Sequence, residues 1–230
     1  MNQRTRIMLN AKLVAEKIGS VSRVRPNPIP LWREDADFEV LFKRASTQSI
    51  VDRQRCFVLF QSALQSLAVA GDAAEVGVYK GGTASLLRAC FSGSGRTLHL
   101  FDTFGGMPAV DSARDKHEAG DFSDTSLEEV RAFVGEGDDV EFHQGTSPGT
   151  ATAVEGRSFA LAHIDADIYP SVLSSCEFFY PRLNAGGIMI FDDYGFRSCP
   201  GARSAVDEFF AALPEVPLYL ATGQCIVHKL

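Results

Sequence analysis

The chain has 230 residues, a net charge of −7, 45% hydrophobic and 22% charged residues; that is one globular domain, or one domain with a short extension. The acidic balance argues against nucleic acid, which needs a basic surface to neutralise phosphates. No segment approaches the roughly 20 apolar residues of a membrane span, and Met1–Ser20 lacks the apolar stretch of a signal peptide. A cytoplasmic protein is the expectation. Five scattered cysteines without C-x-x-C spacing indicate neither a zinc site nor a disulfide framework, and read as reduced structural thiols.

Taken in chain order, residues 1–35 are mixed. Arg-Pro-Asn-Pro-Ile-Pro at 25–30 is stiff and non-helical, ending a short helix and starting a segment over the main domain. Residues 1–50 are therefore assigned to an N-terminal extension or helical lid, and 51–230 to the main domain. A helical pattern follows over 52–69. Strands are predicted at 73–78, 97–102, 140–144, 159–165 and 187–192. Between them helices are predicted at 83–91, 126–134, near 148–155 and at 170–183, with a further helix at 201–213. Leu218–Ala221 and Cys225–Lys229 flank Thr222-Gly223, a hairpin turn signal. Repeated strand–helix alternation means a Rossmann-like, doubly wound α/β fold. Its sheet is mostly parallel, with an antiparallel C-terminal strand. Ligands of such sheets bind beyond the carboxyl ends of the strands.

Glu75-Val-Gly-Val-Tyr-Lys-Gly-Gly-Thr83 sits where the first strand passes into a helix. Gly77, Gly81 and Gly82 permit a sharp turn and close approach of a ligand, and the helix N-terminus offers free N–H groups. The segment is neither G-x-G-x-x-G nor a Walker A loop. A glycine turn needed only for packing is an equal reading. Asp102, at the end of the second strand and 25 residues after Gly77, stands where a ribose would be gripped, near the roughly 20-residue spacing of ribose acids. Its other reading is a cap on the following turn.

The sharper signal is a pair of apolar strands that each end in acids. Ala162-His-Ile-Asp-Ala-Asp-Ile-Tyr-Pro170 carries Asp165 and Asp167. Ile188-Met-Ile-Phe-Asp-Asp-Tyr-Gly195 carries Asp192 and Asp193. Crowding four carboxylates at one sheet edge is costly without a cation. Neighbouring strands would bring them within roughly 5 Å, and all-oxygen ligands favour Mg²⁺ or another hard divalent ion. His163, on the same side of its strand as Asp165, reads as a core histidine, with a donor role toward the acids as the alternative. His99 and His143 read as structural. His117 lies in the long loop 103–125, which is either a functional lid or disordered.

Glu75-Val-Gly-Val-Tyr-Lys-Gly-Gly, Phe101-Asp-Thr-Phe-Gly-Gly-Met-Pro108, Asp121-Phe-Ser-Asp-Thr-Ser-Leu-Glu-Glu-Val130, Ile164-Asp-Ala-Asp-Ile-Tyr-Pro-Ser171, Phe191-Asp-Asp-Tyr-Gly195 and Gly201-Ala-Arg-Ser-Ala-Val-Asp-Glu-Phe209 together resemble the macrocin-type (TylF-like) O-methyltransferases, in order from about residue 50 to the end. The resemblance implies a class I methyltransferase, S-adenosyl-L-methionine as donor, Mg²⁺, and sugar hydroxyls of natural products as acceptors. It puts Glu75, Gly77, Tyr79, Gly81, Gly82, Thr83, Asp102 and Asp165 at the cofactor. It makes Asp165, Asp192 and Asp193 the metal ligands and Asp167 the general base. Gln144-Gly-Thr-Ser-Pro148 departs from the usual pattern, so the adenine contacts stay open. The alternatives are a catechol or phenol O-methyltransferase and a noncatalytic nucleoside-binding scaffold. A homodimer is the base-rate expectation.

Overall fold

The computed structural model describes residues 29–146 and 149–230. The helix expected before residue 25 lies outside them. Seven strands form one sheet: β1 (Asp72–Val76), β2 (Leu98–Asp102), β3 (Val140–Gln144), β4 (Phe159–Ile164), β5 (Leu183–Phe191), β6 (Leu218–Tyr219) and β7 (Cys225–His228). Their order is β3-β2-β1-β4-β5-β7-β6. Pairing is parallel from β3 to β5, and β7 runs antiparallel to β5. The predicted fold class is therefore the observed one. No helix among the described residues is long and apolar enough to cross a membrane.

The helices cover both faces, because the central strands are apolar on both sides. On one face lie α1 (Ala36–Ala45), α2 (Arg53–Ser66), α3 (Gly82–Phe91) and α4 (Leu127–Val134); on the other lie α5 (Tyr169–Phe179) and α6 (Pro200–Phe210). Asp52 caps α2 by accepting from the N–H groups of Gln54 and Arg55, and Ser126 caps α4 by accepting from Glu129 N–H. The strand order reverses between β1 and β4, so a crevice opens at their carboxyl ends.

Where helices were expected near 148–155 and over 201–213, a 3-10 turn fills Ala151–Val154 and the last helix stops at Phe210, and three further elements differ from the predictions. The helix α1 was not read from the sequence, although Asp35 caps it by accepting from Phe38 N–H. Phe38, Leu41, Phe42 and Ala45 also repeat at helical spacing, and they pack into the first core. The helix predicted over 170–183 stops at Phe179, and a short 3-10 turn fills Tyr180–Arg182. The strand β5 begins four residues before the predicted Gly187, because Leu183 already pairs with Phe159 and Gly186 with Lys229. Its early part is irregular around Gly186, whose φ of +82° is left-handed.

Phe38 is fully buried, and its ring lies 5.0 Å from that of Phe57 and 5.5 Å from that of Phe60. Phe38→Ala should cost about 3–5 kcal/mol, read as a lower urea midpoint; an unchanged midpoint would show that α1 contributes nothing to the core.

Candidate active site

A cleft opens at the reversal in strand order. Its walls include Gln48–Val51 and Arg55, the turn Val76–Tyr79 with Gly82 and Thr83, Asp102 and Thr103, Gly106–Pro108 and Phe122, and the acids Asp165, Asp167 and Asp193. Of the sequence-predicted residues, Gly77, Tyr79, Gly82, Thr83, Asp102, Asp165, Asp167 and Asp193 line this cleft. Glu75, Gly81 and Asp192 stand behind it.

Each glycine of the turn has a packing reason to be glycine. A Cβ on Gly77 would overlap the carbonyl oxygen of Asp165, and one on Gly82 would meet Ala45 O at 2.6 Å. Gly81 is left-handed at φ +87° and N-caps α3. The turn therefore fits tightly between β4 and the end of α1, and it leaves the N-terminal N–H groups of α3 at the cleft. Asp102 holds the turn in shape. Its Oδ2 accepts from the N–H groups of Val78 and Tyr79 at 2.6 and 2.9 Å, and its Oδ1 from Phe104 N–H at 2.6 Å. Asp102 caps the following turn and also borders the cleft.

The four aspartates converge because β4 and β5 pair with Ile164 beside Phe191. One oxygen from each of Asp165, Asp192 and Asp193 lies within 4.8 Å of the others. Burial pushes the Asp165 and Asp193 carboxyls well above the ordinary range, and the neighbouring carboxylates push them further. Asp192 differs. Burial alone would raise it, but His163, Arg55 and Gln224 hold it below the usual value. Gln224 donates to its Oδ1 at 2.8 Å, and Arg55 pairs with its Oδ2.

Arg55 and His163 belong to a buried row of alternating charge. Glu75 Oε1 meets His163 Nδ1 at 2.9 Å, and His163 Nε2 lies 3.7 Å from Asp192 Oδ1. All three side chains are fully buried. Burial alone would lower the His163 pKa, but the flanking Asp192 and Glu75 carboxylates raise it to about 10, so the ring is an imidazolium at neutral pH. Glu75 keeps one buried oxygen, Oε2, without a partner. His163 thus does more than fill the core, and Arg55 was missed altogether. Its only sequence signal was an arginine in the first turn of an otherwise half-apolar helix.

Asp167 occupies a left-handed conformation at φ +55°, which costs about 1–3 kcal/mol for a residue that is not glycine. Tyr79 and Phe122, also on the cleft wall, share that conformation at +51° and +59°. Asp167 is held in place by its own N–H, which donates to Asp193 Oδ2 at 2.9 Å. Its Oδ1 accepts from the Cys199 thiol at 3.3 Å and lies 3.7 Å from His117 Nε2. His117 Nδ1 in turn faces Asp121 Oδ2 at 2.9 Å. Burial raises the Asp167 pKa, with the Cys199 and His117 contacts opposing it. Burial also pushes the Cys199 thiol up, so it stays a protonated donor. Cys199 was read from the sequence as merely structural, and the register that brings it to Asp167 is a tertiary fact.

The loop 103–125 holds definite contacts. Met107 N–H donates to Asp121 O, Gly120 N–H to Met107 O, and Lys116 Nζ to Arg197 O. Tyr79 Oη and Lys80 Nζ both reach Asp124. Thr103, Gly106–Pro108 and Phe122 of this loop line the cleft.

Residues 45–215 match the family described as macrocin-O-methyltransferase (TylF). The 8-demethyl-8-(2,3-dimethoxy-alpha-L-rhamnosyl)-tetracenomycin-C 4'-O-methyltransferase of Streptomyces olivaceus is 34% identical over 155 residues, which cover 61% of this chain and 58% of that relative. The chain thus spans less than two thirds of that relative's length. The structure of the O-methyltransferase NovP superposes with a TM-score of 0.68 at 24% identity, over 79% of this chain and 82% of that one. The O-methyltransferase from Bacillus cereus in complex with SAH gives 0.55 at 16% identity, over 94% and 97%. At those identities the two structures speak for the fold, that of the class I methyltransferases. Since the family match takes in the glycine turn, all four aspartates and the loop that lines the cleft, the chain belongs to the macrocin-O-methyltransferase (TylF) family.

Proposed function

We propose that this chain transfers a methyl group from S-adenosyl-L-methionine to a sugar hydroxyl of a small natural product or glycoconjugate, with a hard divalent cation such as Mg²⁺ at the strand-end acids. The observation that carries this reading is the convergence of Asp165, Asp192 and Asp193 beside a cleft that also holds the glycine turn and Asp167. Family membership supports the methyl transfer. The rhamnosyl 4'-O-methyltransferase relative supports the sugar acceptor, and the SAH complex of the Bacillus cereus protein supports the donor.

The residues fit both groups. Three carboxylates, Asp192 and Asp193 buried and Asp165 partly so, form an all-oxygen set suited to a hard cation; burial and then crowding push Asp165 and Asp193 toward protonation. Glu75 Oε2 is a buried acceptor without a partner, close behind the turn. Asp165, Asp192 and Asp193 would hold the cation. The glycine turn, the α3 N-terminus and Asp102 would hold the nucleoside and its amino-acid end. When bound, the donor supplies an electrophilic methyl on a sulfonium, and the cation supplies Lewis acidity toward an oxygen.

The chain's own residues do the rest. Asp167 takes the proton of the acceptor hydroxyl at its carboxylate. The Asp193 carboxylate fixes its backbone, while Cys199 and His117 fix its side chain. Asp121 holds the His117 ring, and the loop 103–125 keeps water from the cleft. Arg55 and His163 offset the charge of Asp192, which leaves the carboxyls of Asp165 and Asp193 for the cation.

Asp192 is a poor choice for a loss-of-metal test, because removing it strands the buried His163 and Arg55 at a cost of about 3–5 kcal/mol. Asp165→Asn is the better one. Calorimetric titration with S-adenosylhomocysteine should show tighter binding with Mg²⁺ in the wild type and no such gain in the variant. Equal gains in both would end the metal assignment. Asp167→Asn should lower kcat by about 10²–10⁴-fold with little change in S-adenosylhomocysteine affinity, followed with labelled donor on sugar and phenol acceptors. Because a base works only when ionised and burial raises Asp167, kcat should fall on acidification with a midpoint above about 3.9, the ordinary aspartate value. The wild-type pH–rate profile checks this, and an acid limb at or below that value would remove Asp167 as the base.

A further inference from the structure

On the face of the sheet opposite α2 and α3, the edge strand β3 and its neighbour β2 bring together three groups that the proposed chemistry does not use. His99 stands beside Glu141 in register, and Phe101 beside His143. His99 Nδ1 lies 3.1 Å from His143 Nε2 and 3.4 Å from Glu141 Oε2, and His143 Nε2 lies 3.8 Å from the same oxygen. A point equidistant from the three atoms is about 2.0 Å from each, the zinc bond length of about 2.0–2.2 Å to nitrogen and oxygen.

The surroundings match as well. The other ring nitrogen of His99, Nε2, lies 3.4 Å from Asp72 Oδ2, which Arg157 Nη1 also approaches at 3.4 Å. A carboxylate behind the far nitrogen is the usual support of a metal-binding imidazole. The His143 ring stacks on Phe101 at 4.4 Å, and Phe159 meets His99 edge-on at 5.8 Å, so packing sets the direction of both rings. His99 is buried, His143 is nearly so, and Glu141 is about half exposed. An ion can therefore enter from solvent, and a fourth position is left for water.

We propose that His99, Glu141 and His143 form a zinc site, separate from the carboxylate centre, that pins the edge strand β3 to β2. Two imidazoles and one carboxylate select zinc over magnesium, whereas the all-oxygen set at the cleft suits magnesium. A proton shared between the two rings would also hold the nitrogens together, but it would take up no metal and need no Glu141.

The test uses the full chain, stripped with chelator and then supplied with excess Mg²⁺ to fill the carboxylate centre. Calorimetric titration with Zn²⁺ should show one equivalent bound, and the thermal midpoint should rise. Co²⁺ in its place should give the intense visible bands of a tetrahedral nitrogen–oxygen site. His143→Gln and Glu141→Gln, both on the edge strand, should weaken zinc by at least about tenfold. Asp193→Asn should leave zinc uptake intact. The proposal fails if the wild type takes up no zinc in excess magnesium, if both edge-strand variants bind it as well as the wild type, or if Asp193→Asn abolishes it. Should the edge-strand variants not fold, the wild-type cobalt spectrum decides: octahedral, weakly coloured cobalt overturns the assignment.

Discussion

Parallel pairing of β4 with β5 forces four carboxylates into one corner of the molecule, and much of the surrounding structure answers that crowding. Ile164 and Phe191 are neighbours in register, so the next residues of each strand emerge side by side at the carboxyl edge. Like charges at such distances are expensive in a buried setting. The protein meets part of the cost with its own cations: Arg55 reaches across from α2 to Asp192, and His163 approaches the same carboxylate from the neighbouring strand. What they leave is Asp193, buried, and Asp165, partly buried at the cleft, neither with an ion pair of its own among the described residues, which is where a divalent ion would complete the balance.

The same corner organises Asp167. Its strained backbone is tied to Asp193, and its carboxylate is steered by a thiol and an imidazole from other parts of the chain. In the proposed role of base, Asp167 would be oriented before any acceptor arrives, and its carboxylate is only partly exposed, so less solvent would have to be displaced. The glycine turn serves the same end by different means, since close backbone packing at Gly77 and Gly82 fixes the rim of the cleft.

The alternation of strands and helices, the hairpin at the end and the acids closing two apolar strands were all legible in the sequence, because each is a local pattern. Asp167 and its neighbours were visible as residue types at strand ends. What stayed hidden depended on register between distant segments. Arg55 and Asp192 are 137 residues apart, Cys199 and Asp167 are 32 apart, and His99 and His143 are 44 apart. No window of sequence contains either member's partner. The left-handed backbones of Tyr79, Phe122 and Asp167 were hidden for another reason: none is glycine, and tertiary contacts override the local preference. The first helix carries local signals as well, its Asp35 cap and the apolar spacing of Phe38, Leu41, Phe42 and Ala45.

The reversed direction of the last strand has a practical meaning. Because β7 runs opposite to β5, its beginning lies at the working edge, and Gln224 just before it touches Asp192. Its end pairs back toward Gly186 and Gly187, at the far side of the sheet. A purification tag, fluorophore or surface tether joined after Leu230 would thus hang from the pole opposite the cleft, whereas any trimming that reaches Gln224 would disturb Asp192 directly.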